Sequence, residues 1–514
     1  MREKFLKRAA ACVCVAAVLA GCSTGASSNA NATGTSNAQT SANNIEATQS
    51  TTQSVTEVVT EKNLTEGEKL AEKYNGFVET PMDLGGREIK FVSSTASRYK
   101  YATNSDGSEN KEGTPNDTLK VIEAIESIEK DYNCKITFEQ LKGSKVAETY
   151  LTALAAGDVY SDIGEWGVSD IYLDQLYSNN LILPLDDTQV SEIIKLDTNP
   201  WHSASDFGKM FGHQYGVHFK TLNSGDLLRG VCLFNKELAK KYELGDLYKM
   251  VENKEWTFEK FQEICAKIAS SSGGEVYPIT YLTESLFAPL FVYSNGGTVC
   301  EVDEVTGKYK YTAIQDNTLY AFNYLVDFSK NGYIHPYSEQ KNSKERAALT
   351  SKYAVGEAVF MFTTYATLKN FKTGAVETEF EYGLLPAPIG PSGDGNYSSV
   401  TYTENLFHIV KGAKKPEELA AVIVAFANRT SKDYDLMIED ELMYTLYDEE
   451  SADMLQMMYK NTYADVSRTA KDSRGAISPA IKKMFTLEKT PKEALEEIET
   501  TMTSVFDNLV LQEN

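Results

Sequence analysis

The chain has 514 residues, of which 42% are hydrophobic and 11% aromatic, so it is long enough for two or three globular domains. Its formal net charge is −23, and removing residues 1–21 leaves 46 Lys and Arg residues against 72 Asp and Glu residues. A surface this acidic repels phosphate backbones and anionic lipids, which argues against nucleic-acid binding and polybasic membrane binding. The negative charge is better explained as a means of keeping an exposed surface protein soluble than as a binding site for a specific cationic partner.

The N-terminus has the pattern of an export signal. Four basic residues among the first eight precede an apolar run over residues 9–20, which is too short for a membrane-spanning helix. The run ends in Leu19-Ala-Gly-Cys22, which resembles the lipobox of bacterial lipoproteins, where the cysteine carries the lipid and becomes the first mature residue. We therefore predict a lipoprotein signal peptide over residues 1–21 and lipidation, including palmitate, at Cys22. Ordinary secretory cleavage beside a chance cysteine is the alternative.

A low-complexity segment follows the cysteine. Residues 23–60 are almost wholly Ser, Thr, Asn, Ala, Gln and Gly, and only Glu46 and Glu57 are charged. Such a composition cannot bury enough apolar surface to fold. We predict a disordered linker over residues 22–60, with a root-mean-square span on the order of 35 Å.

Strand-like and amphipathic helical runs alternate through the rest of the chain. The predicted strands cover residues 87–94, 135–139, 162–166 and 231–235. The predicted helices cover residues 115–128, 146–154, 171–177, 236–242, 257–270, 317–329, 416–427 and 491–509. This alternation indicates an α/β fold with a largely parallel sheet.

Motifs for catalysis or metal binding are missing from the sequence. There is no zinc-protease, hydrolase-elbow, Walker or dinucleotide-binding pattern. His213 and His218 are spaced poorly for one helical face, which favours structural histidines over a metal site. The loop that starts at Asn104 lacks the glutamate that closes a calcium loop, and we interpret it as a solvated loop. We predict no catalytic residue, no cofactor and no metal site.

Cysteine pairing stays open at this stage. Two of the seven cysteines lie in the signal peptide and one is the proposed lipid site. The remaining four allow three disulfide pairings, and lone buried thiols fit equally well: Cys134, Cys232, Cys265 and Cys300.

Several aromatic residues fall beside predicted strand ends. Tyr99 and Tyr101 follow the first strand, Trp166 ends the third, and Tyr365 follows the apolar run Val359–Phe362. Strand ends of α/β sheets are where ligands bind, and flat aromatic faces suit the apolar faces of sugar rings. Ordinary core packing is the alternative for each of these residues.

The order of segments from roughly residue 85 to residue 512 resembles the extracellular solute-binding proteins of ABC importers, in particular the sugar-binding group that includes maltose-binding protein. The segments that carry this resemblance are Phe211–Val217, Val231–Leu238, Trp256–Phe261, Asn295–Gly297, Gly356–Met361, Leu385–Pro388, Phe407–Lys411 and Lys415–Ala420.

This resemblance implies two α/β lobes of the type II periplasmic-binding-protein fold, joined by hinge strands. The first lobe would contain residues 85–218 with about 400–440, and the second residues 219–399 with about 441–514. It further implies a carbohydrate ligand in the cleft between the lobes, no chemistry, and delivery to an ABC permease. With the lipid anchor, it implies a monomer on the extracellular face of the cell membrane.

The resemblance also assigns ligand-binding roles. Trp166 matches the family's ring-stacking tryptophan, and Tyr365 falls where the family commonly has a tryptophan. Lys220 departs from the family, which often has a carboxylate near the hinge. The full predicted set is Tyr99, Tyr101, Trp166, Asp170, Lys220, Glu284, Tyr365, Tyr402, Glu404 and Arg474.

Two alternative functions remain on the sequence alone. One is a secreted carbohydrate-active enzyme that uses paired carboxylates, because the sequence cannot show how far apart any two acids lie. The other is a surface sensing or adhesion lipoprotein on the same fold without a transporter.

Overall fold

The computed structural model describes residues 79, 81–143, 145–167, 173–195, 205–219, 221–222, 228, 230–303, 306–335, 343–372, 376–401, 405–431, 445–509 and 511–512. The chain divides into two units, residues 1–62 and 63–514, and every described residue belongs to the second unit. The predicted signal peptide, the predicted linker and the lipidation site therefore lie outside the described residues. The same is true of four predicted ligand-binding residues: Asp170, Lys220, Tyr402 and Glu404.

Helices and strands follow one another along the described chain. The strands are β1 (Arg87–Ser93), β2 (Ala102–Thr103), β3 (Glu109–Asn110), β4 (Cys134–Gln140), β5 (Ile163–Gly167), β6 (Lys209–Met210), β7 (His213–Gln214), β8 (Val231–Asn235), β9 (Tyr277–Tyr281), β10 (Cys300–Val302), β11 (Tyr309–Tyr311), β12 (Ala358–Thr363), β13 (Tyr382–Leu385), β14 (Ser399–Thr401), β15 (Asn405–Ile409) and β16 (Thr462–Ala464). The α-helices are α1 (Asn116–Asp131), α2 (Lys145–Ala155), α3 (Leu173–Ser178), α4 (Thr188–Ile194), α5 (Lys236–Lys241), α6 (Leu247–Glu252), α7 (Phe258–Ser272), α8 (Glu284–Ser294), α9 (Asp316–Lys330), α10 (Ser343–Ala354), α11 (Tyr365–Lys372), α12 (Pro416–Thr430), α13 (Glu449–Lys460), α14 (Lys471–Phe485) and α15 (Pro491–Asp507). The strands and helices predicted from the sequence are confirmed, with ends shifted by a few residues. Within the described ranges, no helix is both long enough and apolar enough to cross a bilayer.

The first sheet has the strand order β15-β5-β1-β4. Strand β1 pairs in parallel with β4 and β5, which places Phe91 beside Phe138 and Ile163. Strand β15 runs antiparallel to β5, with Phe407 opposite Glu165. Helix α12 packs on α1 and α4 over one face of this sheet.

Helix α1 buries its apolar side against the first sheet. Val121, Ile125 and Ile128 are buried, and their spacing of four and three residues puts them on one side of the helix. They belong to the same core as Ile89 and Phe91 of β1. Burial of each such side chain contributes about 1.5–3 kcal/mol, so this face fixes the helix on the sheet.

The second sheet has the strand order β13-β8-β12-β9. Strand β12 is parallel to β9, with Phe362 opposite Tyr281. Strand β8 is antiparallel to both of its neighbours. Every residue of β8 and β12 is buried, which explains their continuous apolar sequences. Helix α7 packs on β9, α13 packs on β13, and α14 packs on both α8 and α15.

The prediction of a largely parallel sheet is only partly right. In the first sheet two pairings are parallel and one is antiparallel, whereas in the second sheet one is parallel and two are antiparallel. The antiparallel members β8 and β15 are the strands by which the chain enters each sheet from the other. Both strands begin at the edge of the sheet where their neighbours end, so they run antiparallel to those neighbours.

Two crossings of the chain connect the sheets. Val217 forms an isolated bridge with Phe407 beside the first sheet, and Leu228 forms another with Thr401 just before β8 begins. The described chain therefore forms two lobes, with the first sheet in lobe 1 and the second sheet in lobe 2. The predicted α/β fold with two lobes is confirmed, while the residue boundaries of the lobes stay a prediction.

Candidate functional site

The carboxyl ends of the lobe 1 strands share one edge. Strands β1 and β5 end at Ser93 and Gly167, and β15, which runs the other way, begins at Asn405 opposite Gly167. We call this position the lobe 1 edge. Ligands of open α/β folds bind in the crevice outside the carboxyl ends of the strands.

Four polar residues form a hydrogen-bonded group at the lobe 1 edge: Ser93, Thr95, Glu165 and Asn405. Ser93 Oγ donates to Glu165 Oε2 at 2.5 Å. The Thr95 backbone N–H donates to Ser93 Oγ at 2.9 Å, and the Asn405 amide donates to Thr95 Oγ1 at 3.4 Å. Glu165 is only 5% exposed, so its hydrogen bond offsets part of the cost of burying a carboxyl group. Ser93 is also buried, so the partly exposed Thr95 and Asn405 are the members that could donate hydrogen bonds to a polar ligand or accept them.

The lobe 2 strands end at an edge of their own. Parallel strands β9 and β12 end at Tyr281 and Thr363, and we call this position the lobe 2 edge. Glu284 begins α8 and Tyr365 begins α11, so the structure brings these two predicted residues to the same edge. Glu284 is partly exposed, whereas the Tyr365 side chain is buried.

The return crossing joins the two edges. Thr401 ends β14 beside the start of β8, and Asn405 begins β15 at the lobe 1 edge. Four residue steps separate them, and a fully extended chain covers at most about 14 Å over that length. The first crossing also joins the lobes, since Val217 is bridged to Phe407 of β15 and Leu228 to Thr401 of β14. The geometry therefore defines a cleft between the lobe 1 edge and the lobe 2 edge.

Trp166 is packed inside lobe 1. Its side chain is 0% exposed, and its ring lies edge-on to Tyr150 at 5.3 Å and tilted on His408 at 5.3 Å. The ring folds back over Gly164, where a Cβ atom would overlap it. Core packing, the alternative considered for the sequence, describes this placement, because no ring face is open to solvent. A stacking role for Trp166 stays a prediction.

Tyr99 has a similar placement. It is 4% exposed, and its ring stacks on Phe138 at 4.7 Å with an interplanar angle of 7°. Its neighbours Phe91 and Phe426 complete an aromatic core above β1. The ring therefore stabilises lobe 1 in this structure, and its role in ligand binding stays a prediction.

The other described residues of the predicted set are dispersed. Tyr101 precedes the small β2–β3 hairpin, with Lys111 Nζ 4.7 Å above its ring centre. Arg474 is partly exposed on α14, which packs against α8 of lobe 2. The structure thus brings Glu284 and Tyr365 to one edge of lobe 2, whereas Tyr101 belongs to lobe 1.

Sequence reasoning missed the polar group at the lobe 1 edge. Glu165 did carry a signal, since it is an acid inside the otherwise apolar strand that ends in Trp166. Asn405 carried none, because its place depends on β15 pairing with a strand more than 200 residues earlier in the chain.

His408 lies on the face of the first sheet that also carries Trp166. It is 0% exposed, and burial lowers its pKa from 6.5 to about 3, so the imidazole is neutral at physiological pH. Its Nε2 lies 2.8 Å from the hydroxyl of Tyr177. His218 Nδ1 lies 2.9 Å from the Asn405 carbonyl oxygen, so it helps to position β15.

The described part of the chain offers little to a metal ion. No group of three or more His, Cys, Asp and Glu side chains is arranged there to hold one. In the loop at Asn104, the Asp106 carboxylate accepts hydrogen bonds from the Ser108 backbone at 3.0 Å and hydroxyl at 2.6 Å. These bonds lower the pKa of Asp106 and engage one carboxylate oxygen within the loop itself.

The structure distinguishes disulfide-bonded cysteines from lone thiols in the described part of the chain. Cys134, Cys232, Cys265 and Cys300 are all free and buried, so the structure contains lone thiols at these positions. Burial raises the pKa of the Cys134 thiol to about 11 and that of the Cys232 thiol well above its usual value. Thiols of this kind are unreactive.

Solved structures of binding proteins share the fold. A cyclo/maltodextrin-binding protein complexed with maltotetraose matches with a TM-score of 0.56 at 12% identity, covering 83% of this chain and 100% of that one. An ABC substrate-binding protein from Listeria monocytogenes in complex with cycloalternan matches with a TM-score of 0.49 at 16% identity, covering 82% of this chain and 99% of that one. Maltose-bound MalE3 of T. maritima matches with a TM-score of 0.47 at 15% identity, covering 82% of this chain and 100% of that one. The first of these supports the two-lobed fold.

Sequence comparison gives the family. A search of curated proteins finds no match. The family model described as bacterial extracellular solute-binding protein matches residues 114–431, more than half of the chain. That range runs from the start of α1 to the end of α12 and includes both crossings. The chain therefore belongs to the family of bacterial extracellular solute-binding proteins, and it is a binding protein and not an enzyme.

Proposed function

We propose that this protein is the lipid-anchored substrate-binding subunit of an ABC importer and binds a mono- or oligosaccharide in the cleft between its lobes. The observation that carries the proposal is the pair of strand edges, one in each lobe, that the two crossings join. A ligand held between them contacts both lobes at once. Release to membrane permease subunits completes the proposed function.

Binding would act by shifting the balance between an open and a closed cleft. A ligand that contacts both edges has more contacts in the closed form, and it favours that form by its difference in affinity. Rotation of two rigid lobes about a few hinge residues is a known type of domain closure. In this chain the hinge residues would be those of the two crossings.

Carbohydrate fits the chemistry of the lobe 1 edge. Sugars present many hydroxyl groups that both donate and accept hydrogen bonds. The partly exposed Thr95 and Asn405 supply a hydroxyl and an amide group, and the buried Ser93 and Glu165 are hydrogen-bonded behind them. Glu284 adds a partly exposed carboxylate at the lobe 2 edge. The maltotetraose complex of the structural relative supports the same ligand class.

The N-terminal end of the body fits a tethered protein. Glu79, at the start of the described chain, is held by Arg429 of α12, whose Nε lies 3.0 Å from Glu79 Oε1. The Tyr132 hydroxyl donates to the same carboxylate at 3.3 Å. The Glu79 side chain is 5% exposed, so the described chain is held to lobe 1 at this residue. A lipid on Cys22 would then keep the cleft near its permease and raise the effective concentration of ligand-loaded protein there.

A thermal-unfolding screen tests the ligand class. The panel contains maltose, maltotetraose and other mono- and oligosaccharides, with a peptide and a polyamine as controls. A sugar present at 100 times its Kd should stabilise the protein by about 2.7 kcal/mol, seen as a higher Tm. If a control compound raises Tm and no sugar does, the carbohydrate assignment is wrong.

A further inference from the structure

A small pocket lies on lobe 1 beside helices α4 and α12, which pack on each other. Its volume is about 220 Å³, and we call it the α4–α12 pocket. Its walls include two polar residues and four apolar ones: Glu79, Tyr132, Met82, Ile193, Ala421 and Val424. Pockets for small-molecule ligands usually measure about 300–1,000 Å³, so this volume suits one large apolar side chain better than a separate ligand.

The described chain begins at this pocket. Glu79 is the first described residue, and it lines the pocket together with Met82. Its carboxylate pairs with Arg429 of α12, whose guanidinium also lies 2.9 Å from the Asp131 carboxylate at the end of α1. The residues just before Glu79 therefore start beside the pocket. Two residues of extended chain span at most about 7 Å, which brings Phe77 within reach of it.

The composition of the chain changes shortly before Glu79. Residues 23–60 contain no aromatic residue, whereas residues 61–78 contain two, Tyr74 and Phe77, and two leucines. Leu70 precedes Tyr74 by four residues, so a helix over this stretch would place both side chains on one face. Residues 61–78 lie outside the described residues. Their sequence indicates a segment with apolar surface to bury, which the composition of the linker does not offer.

We propose that residues 64–78 dock on lobe 1 with the Phe77 side chain in the α4–α12 pocket, and that this clasp fixes the point at which the linker leaves the body. The size of the pocket, its apolar walls and the position of Glu79 in one of those walls favour this occupant. Burial of one aromatic ring is sufficient to hold the segment, because a segment already joined to the body avoids most of the entropic cost of association.

The clasp determines how a lipid on Cys22 would hold the protein. It limits the flexible part of the tether to residues 23–63, and the tether then leaves lobe 1 beside α4 and α12. Lobe 2 carries no part of the tether. The docking itself depends neither on the lipid nor on the sugar, so it can be tested separately from the proposed function.

Thiol labelling with a maleimide tests the clasp in the predicted mature chain, residues 22–514, with Cys22→Ser in place of the lipidated cysteine. The probe is Ile193→Cys in the wall of the pocket. The matched control probe is Leu154→Cys, on α2 of the same lobe, where the leucine is 40% exposed. The four cysteines of the described body are buried, so they do not compete for the reagent.

Phe77→Ala should raise the labelling rate of Ile193→Cys by about 10-fold, because the docked segment loses the burial of one aromatic ring, and it should leave the rate of Leu154→Cys unchanged. Tyr320→Ala, which removes an exposed ring from α9, should change neither rate. An unchanged rate at Ile193→Cys in Phe77→Ala overturns the clasp.

A second variant and a second measurement keep the test decisive if a substitution disturbs the fold. Where Phe77→Ala accelerates both probes, lobe 1 has loosened as a whole, and the milder Phe77→Leu is compared at the same two positions. Hydrogen exchange needs no introduced cysteine. The α4 amides, residues 188–194, should exchange faster in Phe77→Leu than in the chain with Phe77, and equal exchange overturns the clasp.

Discussion

A column of rings fills one face of the first sheet in lobe 1. Tyr150 lies edge-on to Trp166 at 86°, Trp166 lies on His408, and His408 meets the hydroxyl of Tyr177. Such close packing is possible because Gly164 has no side chain beneath the Trp166 ring. The column keeps β5 and β15 in place, and both strands contribute to the lobe 1 edge.

Gly164→Ala should destabilise the protein, because the new methyl group overlaps the Trp166 ring. Overpacking of this kind costs about 1–3 kcal/mol. Thermal or urea unfolding measures the change. Gly475→Ala, in helix α14 with open space around it, is the control and should be neutral or slightly stabilising. Equal stability of the two variants would contradict the packing described for Trp166.

His408 should make folding stability depend on pH. Its pKa is about 3 in the folded protein against 6.5 in the unfolded chain, so the unfolded chain binds the proton first as pH falls. The contribution of His408 is therefore complete above pH 6.5 and is lost progressively from pH 6.5 down to about pH 3, by about 1.4 kcal/mol per pH unit. Urea unfolding of wild type and His408→Gln between pH 7 and pH 5 isolates this contribution from that of the carboxylates. The variant should show the shallower dependence, and parallel curves would refute a neutral buried imidazole.

The strand edges are the elements that build the site. Each edge combines the ends of strands that are far apart in sequence, as Ser93 and Asn405 show. The polar cluster of the lobe 1 edge needs β15 to pair beside β5, because Asn405 otherwise cannot reach Thr95. The position of these site residues therefore depends on the order of the strands in the sheet.

Asn405→Ala should weaken sugar binding without unfolding the protein. The side chain is partly exposed and makes a long hydrogen bond of 3.4 Å to Thr95, so little stability depends on it. Loss of a hydrogen bond to the ligand should reduce affinity on the order of 10-fold. Calorimetric titration measures the affinity, with Asn253→Ala, an exposed residue after α6, as the control. The proposed site is wrong if both variants bind like wild type.

The sequence predicted local structure better than it predicted the site. Residues 115–128 repeat apolar side chains at helical spacing, and this pattern alone specifies α1. The exposure of an aromatic residue at a strand end depends on what packs over it. Trp166 is covered by Tyr150 and His408, which come from other segments of the chain. Local patterns contain no information about such contacts, so they could not distinguish a buried ring from an open one.

The whole molecule combines two lobes with the proposed cleft between their strand edges. The two crossings join the lobes, so the proposed closure would turn about them. The proposed ligand would act on the balance between the open and the closed cleft. The predicted anchor would keep the moving body near the membrane without restricting the lobes, because a linker of this composition is flexible.

Cys22→Ser should release the protein from the cell. A single lipidated cysteine is the predicted anchor, and the described part of the chain contains no helix that could replace it. Detergent partitioning and immunoblotting of cells and medium measure the distribution. The variant should move to the aqueous phase and the medium, while a Ser23→Ala control stays with the cells. Retention of the Cys22 variant on the cells would show that another feature anchors the protein.

The measurement that tests the central claim most directly is the distance between nitroxide labels on Lys142→Cys, just after β4, and Ser285→Cys, at the start of α8, with and without the sugar that raises Tm most. The account predicts a shorter and narrower distance distribution at saturating sugar, because the ligand draws the lobe 1 edge and the lobe 2 edge together. An unchanged distribution at full occupancy would contradict ligand binding between the lobes.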